Sequence, residues 1–289
     1  MSGRTVAALR SLGDLPGVAE AVEEAREACT TLRWHEGLRR RIPEAAAESR
    51  IRGATASAML EGAEPAGSQS SLGLVRDLVR GATPWSERGA DPVWRVLAGA
   101  VRATAATEHV AAAHLRAPGQ LLATLHTASS AGLLPEDQLG RPRSAGERAT
   151  GQDVLGPAPD PDEARERLRL VHELVGAVPD GGAPILIVAA VVHAEVAVAR
   201  PFAAGNAVVA RALERVLVRV GGLDPTGVAV PEVGHADRAG TDYRGALAAY
   251  ATGDPAGVRL WLLHCAEALV RSAAEGTRVA DAVRAGKLP

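Results

Sequence analysis

The sequence predicts an all-α fold, and three observations lead to that prediction. Apolar residues make up 47% of the 289 positions but aromatic residues only 2%, so Ala, Val and Leu must fill the interior. Such small side chains favour closely packed helices over an aromatic-rich sandwich. Apolar residues also recur at helical spacing along most of the chain. The longest stretch without that pattern, Gly132–Pro161, is rich in Gly, Pro and charge.

The helices are predicted wherever apolar positions recur at helical spacing between turn-forming residues. Met1–Pro16 is expected to be a loose start, Ala63–Gln69 a Pro/Gly/Ser connector, and Val228–Gly240 a loop. Gly62 is expected to end the third helix. The expected helices are Val18–Thr31, Arg33–Arg41, Arg50–Glu61, Leu72–Gly81, Asp91–Ala106, Gln120–Ala131, Asp162–Val178, Pro184–Ala199, Val208–Val220, Tyr243–Tyr250 and Pro255–Gly276.

Charge and composition exclude several classes of protein. The net charge is −2 with both signs mixed, so neither a nucleic acid nor an anionic membrane is an expected partner. Cys29 and Cys265 are too few for a disulfide framework or a structural zinc site. The N-terminus does not resemble a signal peptide, and the longest apolar run, Ala183–Ala194, is too short to span a bilayer. These features predict a cytoplasmic protein.

The stretch Arg200–Arg211 is the most distinctive part of the chain. It contains the only Phe, Phe202, and the only Asn, Asn206, with Gly205 between them. The pattern predicts a helix, a tight turn and a second helix. The start of a helix presents free N–H groups and a positive dipole end, and Gly205 permits close approach, so the turn is a candidate phosphate cradle. The alternative, from these residues alone, is a capped helix start between two core helices.

This stretch resembles the signature of the Fic (Fido) family, His-x-Phe-x-Asp/Glu-Gly-Asn-Gly-Arg-x-x-Arg. Four positions stand in register with it: Phe202, Gly205, Asn206 and Arg211. Upstream, His193 has the spacing of a His in the helix that precedes the signature. The resemblance covers most of the chain and implies a Fido-like helical bundle that transfers AMP from ATP to a protein hydroxyl. It implies nucleotide contacts at Phe202, Gly205, Asn206, Ala207 and Arg211.

Other signature positions depart from the family's pattern. Arg200 replaces the His that serves as general base, and a guanidinium with a pKa above about 12 is a poor base. Ala204 replaces the acidic residue that holds Mg²⁺, and its side chain has no oxygen ligand. Ala207 and Val208 replace the third small residue and the first Arg. The resemblance therefore implies a degenerate member, with ATP or another nucleotide as its ligand and impaired AMP transfer.

A second motif resembles the family's inhibitory pattern, Ser/Thr-x-x-x-Glu-Gly/Asn. It runs from Ser57 to Glu61 and Gly62. Glu61 lies in the last turn of a predicted helix, where the helix dipole disfavours a carboxylate. In the family, the inhibitory Glu pairs with the last Arg of the signature, which is Arg211 here. Without the resemblance, Glu61 would be taken for a solvated side chain.

Gly132–Pro161 has the position of the family's flap, a short irregular hairpin that aligns the target's hydroxyl segment. Gly140 and Arg143 match a Gly-x-x-Arg that the family carries there. The alternative is a plain surface loop.

The histidines outside the signature are expected to be structural or exposed. None of those between residues 91 and 131 has the close spacing of metal ligands: His109, His114 and His126. His235 and Asp237 lie two residues apart in a predicted loop, and the pair has no third partner for acid–base chemistry. His264 lies in an apolar helix and is expected to be buried and hydrogen-bonded.

The sequence thus predicts residues 1–66 as a helical extension with an inhibitory helix and residues 67–289 as a Fic-like domain. Three functions stay open. The first is a degenerate Fic-like protein that binds a nucleotide and acts by regulation or partner binding. The second is an active transferase with altered chemistry, in which Arg200 holds phosphate. The third is a structural helical protein. The resemblance implies a protein target or a regulatory partner, and a homodimer.

Overall fold

The computed structural model describes residues 3–64, 71–82, 84, 91–182 and 184–288. These residues form helices and no β-sheet, which confirms the all-α prediction. The helices are α1 (Gly3–Gly13), α2 (Val18–Arg33), α3 (Ile42–Leu60), α4 (Ser71–Val79), α5 (Pro92–Ala106), α6 (Pro118–Ser130), α7 (Pro161–Ala177), α8 (Ile185–Ala199), α9 (Asn206–Val220), α10 (Pro231–Ala236), α11 (Thr241–Ala251) and α12 (Pro255–Arg284).

Helices α8 and α9 lie at the centre of the fold. Every residue of α8 from Leu186 to Ala199 is buried, and His193 and Glu195 are the polar members of that run. α8 packs against α7, α9 and α12, and α9 packs against α6 as well. Small aliphatic side chains let these helices approach closely, as the composition predicts.

The N-terminal predictions need two corrections. Met1–Pro16 is not a loose start, because α1 forms there and buries Leu9 against the core. The predicted helix Arg33–Arg41 is a short 3₁₀ turn, and α3 begins at Ile42 instead of Arg50. Pro43 lies in the first turn of α3, where a missing N–H needs no partner, so the helix accommodates it.

The C-terminal predictions also differ from the structure at two places. The predicted loop Val228–Gly240 contains the short helix α10, again with a Pro in its first turn. Helix α12 continues past Gly276 to Arg284. A Cβ on Gly276 would lie 2.9 Å from the carbonyl oxygen of Val228, so this glycine serves close packing and does not end the helix.

The predicted boundary between residues 66 and 67 lies outside the described residues, as does most of the connector Ala63–Gln69. α3 packs against α5 and α10, so the helix with the inhibitory motif lies on the helices of the predicted second part. The division into two parts stays a prediction. Among the described helices, none is both long and apolar enough to cross a membrane.

Candidate functional site

The turn between α8 and α9 is held by the side chain of Asn206. Arg200 ends α8 in the left-handed conformation at φ 44°, and Gly205 adopts the same region at φ 72° before α9 begins. Asn206 Oδ1 accepts a hydrogen bond from the N–H of Phe202 at 2.9 Å, and Nδ2 donates to the carbonyl of Phe202 at 2.8 Å. The amide therefore holds the turn from inside, and it does not cap α9 as the alternative interpretation of this stretch predicted.

Packed side chains surround this turn. Phe202 is buried, and its ring stacks on His126 with the centroids 4.0 Å apart. A Cβ on Gly205 would lie 2.5 Å from Ser130 Oγ, so glycine is needed there for the approach of α6 as well as for its positive φ. The neighbouring small residues are buried too: Ala203, Ala204 and Ala207. The turn expected to cradle an anion is thus closely packed in this conformation.

The guanidinium of Arg200 is bound to the predicted flap. It donates to the carbonyls of Gly156 and Pro157 at 2.8 and 2.7 Å. Burial, followed by the charge of Arg143, lowers the pKa of Arg200. A hydrogen-bonded guanidinium is a donor and has no free lone pair for a proton, so Arg200 does not replace the base of the signature.

The predicted flap is an irregular segment and not a hairpin. Between residues 132 and 160 it contains two 3₁₀ turns, Glu136–Gln138 and Asp153–Leu155. It is attached to the signature turn by backbone hydrogen bonds from Arg143 to Pro201 at 2.7 Å and from Thr150 to Ala203 at 2.9 Å. Its Gly/Pro-rich sequence prevents a regular strand pairing, and these contacts fix it instead.

The two flap residues singled out by the sequence are both structural in this conformation. The N–H of Gly140 donates to His126 Nδ1 at 2.9 Å. Arg143 is buried, and its Nε donates to the carbonyl of Arg200 at 2.8 Å, with a further bond to the carbonyl of Pro159. Arg143 thus connects the flap to the left-handed corner at Arg200.

Arg211 is held by the inhibitory motif. Its Nη2 donates to Glu61 Oε1 at 2.7 Å and to the carbonyl of Ser57 at 3.1 Å, and its Nε donates to Ser57 Oγ at 2.9 Å. Nη1 lies 3.5 Å from the hydroxyl of Tyr243. The contact between Glu61 and Arg211 that the resemblance implied is therefore present, on a guanidinium that is fully buried.

Gly62 places Glu61 for this contact. The N–H groups of Gly62 and Ala63 donate to the carbonyls of Met59 and Ala58 at 2.9 and 3.0 Å, which is the Schellman pattern of a helix end. Gly62 adopts φ 74°, as such an end requires. α3 therefore ends as predicted, and Glu61 caps it at a terminus whose dipole would repel the carboxylate without a nearby cation.

The residues at the family's metal position do not fit Mg²⁺. Ala204 provides no carboxylate, and its carbonyl oxygen lies 3.5 Å from Ser130 Oγ in a packed environment. Mg²⁺ takes oxygen ligands in near-octahedral geometry, usually with at least one carboxylate.

A buried polar cluster adjoins Arg211, and the sequence did not predict it. Glu214 Oε2 lies 2.7 Å from both His193 Nδ1 and His235 Nε2. His193 Nε2 lies 3.0 Å from the Tyr243 hydroxyl, and His235 Nδ1 lies 3.1 Å from His264 Nε2. These five side chains come from five helices, so no local spacing could reveal them. The available signal was polar residues on helix faces that are otherwise apolar.

No family model and no curated protein matches this sequence. Solved structures match its fold. A Fic family protein from Desulfovibrio desulfuricans G20 has a TM-score of 0.66 and 21% identity, over 90% of this chain and 74% of that chain. Fic-1 from C. elegans has a TM-score of 0.65 and 16% identity, over 98% and 76% of the two chains. A Fic domain containing signaling protein from Bacteroides thetaiotaomicron has a TM-score of 0.56 and 13% identity, over 90% and 98%.

These similarities show that the chain has the Fic fold, as the resemblance of its signature stretch implied. At such low identity they carry over the fold alone. What the chain can do chemically depends on its own residues at the turn and around Arg211.

Proposed function

We propose that this chain is a degenerate Fic-like protein that does not transfer AMP by the family's mechanism and acts by regulated binding of a phosphate-bearing ligand, such as a nucleotide. The observation that carries the proposal is the state of Arg211. The one signature cation that the sequence retains is fully buried and bound by Ser57 and Glu61. A ligand phosphate must displace the Glu61 carboxylate to reach it.

Three missing parts argue against AMP transfer. Arg200 is not a base, Ala204 is not a metal ligand, and Val208 is not a phosphate clamp. Phosphoryl-type transfer depends mainly on positioning and electrostatic stabilisation, so the loss of one part reduces the rate. The loss of three parts removes proton transfer, metal and clamp together.

The charge around the turn supports an anionic ligand. Arg143 and Arg200 are both buried, and the hydrogen bonds described for their guanidinium groups end on uncharged backbone carbonyls. The carboxylates of Asp160 and Asp153 offset their charges only in part. The first turn of α9 adds its positive dipole end. With Glu61 displaced, Arg211 becomes a third cation near this turn. A regulatory protein that moves the end of α3 would therefore open the site, and such a partner or a homodimer is part of the proposal.

Nucleotide-dependent thermal stabilisation tests this function. A ligand that binds the native state alone raises its melting temperature. We expect millimolar ATP to stabilise Glu61→Gly more than the wild type, and Arg211→Met not at all. Incubation with α-labelled ATP is expected to label neither the protein itself nor proteins of a lysate. A labelled band that is lost in Asn206→Ala would instead establish an active transferase with altered chemistry.

One observation favours a second candidate, a helical protein that has kept the fold and lost the ligand. Gly205 is packed against Ser130, and both ends of the Asn206 amide are used inside the turn. If neither the wild type nor Glu61→Gly is stabilised by any nucleotide or by inorganic phosphate at millimolar concentration, this second candidate replaces the first.

A further inference from the structure

We propose that His193, Glu214 and His235 form a buried binding site for one divalent transition-metal ion, with Zn²⁺ as the best fit. The ligand atoms are His193 Nδ1, His235 Nε2 and a carboxylate oxygen of Glu214, and all three lie within 4.8 Å of one another. The proposal goes beyond the nucleotide-binding function, because none of these side chains belongs to the signature turn.

Three rigid elements position the ligands. His193 lies in the middle of α8, Glu214 in α9, and His235 near the end of α10. Both imidazoles direct a nitrogen at the same carboxylate oxygen, at 2.7 Å. Because the histidines are fully buried, their nitrogens converge on a point that bulk water does not reach freely. An ion bound at about 2 Å from each ligand atom would replace the two hydrogen-bonded protons, and the side chains would separate slightly to admit it.

The outer nitrogens of both histidines also have partners. His193 Nε2 meets the hydroxyl of Tyr243 at 3.0 Å, and His235 Nδ1 meets His264 Nε2 at 3.1 Å. Burial raises the pKa of Tyr243 to about 12, so this group stays a hydroxyl. Metal-binding histidines usually have such a partner on the second nitrogen, because it fixes the ring orientation and the tautomer that presents a bare nitrogen to the ion.

The charge of the cluster favours a cation. The Glu214 carboxylate is the acidic group that both ligand histidines contact, and it is buried. Arg211, a buried cation that contacts Tyr243 of the cluster, is already paired with Glu61. A divalent ion would compensate the carboxylate charge.

The donor set selects the class of metal. Two imidazole nitrogens and one carboxylate oxygen suit Zn²⁺, which is found with two His and one Glu in other proteins. Mg²⁺ and Ca²⁺ prefer sets made of oxygen atoms. The ion would crosslink α8, α9 and α10, and it would orient Tyr243, whose hydroxyl faces Arg211.

The experiment uses the full chain without a polyhistidine tag, expressed with added zinc. Elemental analysis is expected to find about one zinc per chain. Removal of the metal with a strong chelator is expected to lower the melting temperature by several degrees, and Zn²⁺ but not Mg²⁺ is expected to restore it. Cobalt substitution should give visible ligand-field absorption bands. A wild type that holds no metal, and whose melting temperature responds to neither chelator nor Zn²⁺, overturns the proposal.

Variants locate the ion. His235→Gln and Glu214→Gln are expected to lose the metal, whereas His126→Gln, a buried histidine outside the cluster, retains it. Tyr243→Phe removes an outer partner and should weaken metal binding by about 10- to 100-fold. If both ligand variants fold and still hold metal, the ion is bound elsewhere, for example at Cys29 or Cys265. That result would contradict the proposed site. If the ligand variants do not fold, the cobalt spectrum of the wild type decides, because nitrogen and oxygen ligands lack the intense charge-transfer band of thiolates.

Discussion

Arg211 donates a hydrogen bond to Glu61 at 2.7 Å, across 150 positions of sequence, and so joins the start of α9 to the end of α3. The guanidinium is fully buried, whereas the Glu61 side chain keeps 18% of its surface exposed. This asymmetry means that the carboxylate can leave for solvent, but the cation cannot. The contact therefore joins a cation that is fixed in the interior to a carboxylate that can move into solvent.

Glu61→Gln is expected to cost more stability than Arg211→Met. The first change leaves a buried guanidinium without its counter-charge, which costs about 3 kcal/mol in comparable buried pairs. The second change leaves a carboxylate that can reach water, and it also removes the desolvation cost of the cation. Chemical denaturation of both variants at pH 7 measures the difference. The control is Glu44→Gln, which removes the exposed ion pair between Glu44 and Arg41 at the other end of α3. Equal losses of unfolding free energy in the two variants would contradict the view that Arg211 is fixed in the interior while Glu61 can move into solvent.

Arg143→Ala is expected to loosen the flap without unfolding the helices. The change removes the hydrogen bonds to the carbonyls of Arg200 and Pro159, and bonds from a charged donor contribute about 1.5 kcal/mol or more. Amide exchange at Thr150, which bonds to Ala203, should then become about tenfold faster or more. Arg148→Ala, an exposed residue of the same segment, should leave that exchange rate unchanged. Unchanged exchange in Arg143→Ala would show that other contacts hold the flap.

Gly205→Ala is expected to be more destabilising than Gly253→Ala. Both glycines have positive φ, 72° and 73°, and a side chain in this region costs about 1 kcal/mol or slightly more. At Gly253 a Cβ would meet no atom within 4 Å, whereas at Gly205 it would lie 2.5 Å from Ser130 Oγ. The difference between the two unfolding free energies, expected to be about 1 kcal/mol or more, measures the packing at the turn. Ser130→Ala in the Gly205→Ala background should recover part of it.

Acid is expected to destabilise the wild type more than His126→Gln. Burial lowers the pKa of His126 to about 4, below its value of about 6.5 in the unfolded chain. The unfolded state therefore takes up a proton first as the pH falls. The contribution of the neutral His126 to the free energy of unfolding is fully present above about pH 6.5, and it is lost as the pH falls towards 4. Between pH 7 and pH 4.5 the wild type should lose about 2 kcal/mol more than the variant in chemical denaturation. Parallel pH profiles would show that His126 is not held neutral by its burial against Phe202.

Much of the fold could be predicted from the sequence because it depends on local patterns. The apolar run of α8, the helical spacing of α9 and the glycine at the end of α3 each specify an element within a few residues. The prediction failed where proline and glycine can either end a helix or lie within it. Pro43 and Pro231 lie in the first turns of helices, and Gly276 lies inside one. The surrounding packing decides which of these roles each residue takes.

The sequence predicted contacts of the candidate site only where both residues belong to a short motif. The contact between Glu61 and Arg211 follows from two short motifs far apart in the chain. The inward position of Asn206, the attachment of Arg143 to the corner at Arg200, and the cluster around Glu214 do not follow from any motif. Each depends on the distances between helices that are remote in sequence.

The sequence by itself determined the helical class of this protein, the residues at the turn, and the absence of a base and a metal carboxylate at the signature positions. These properties belong to single positions or to short periodic patterns. Only the tertiary structure decided that the turn is packed, that the Arg211 guanidinium is fully buried, and that two histidines and a glutamate meet in the interior. Such properties arise when distant helices pack, because burial and charge pairing depend on what each side chain faces and not on what precedes it in the chain.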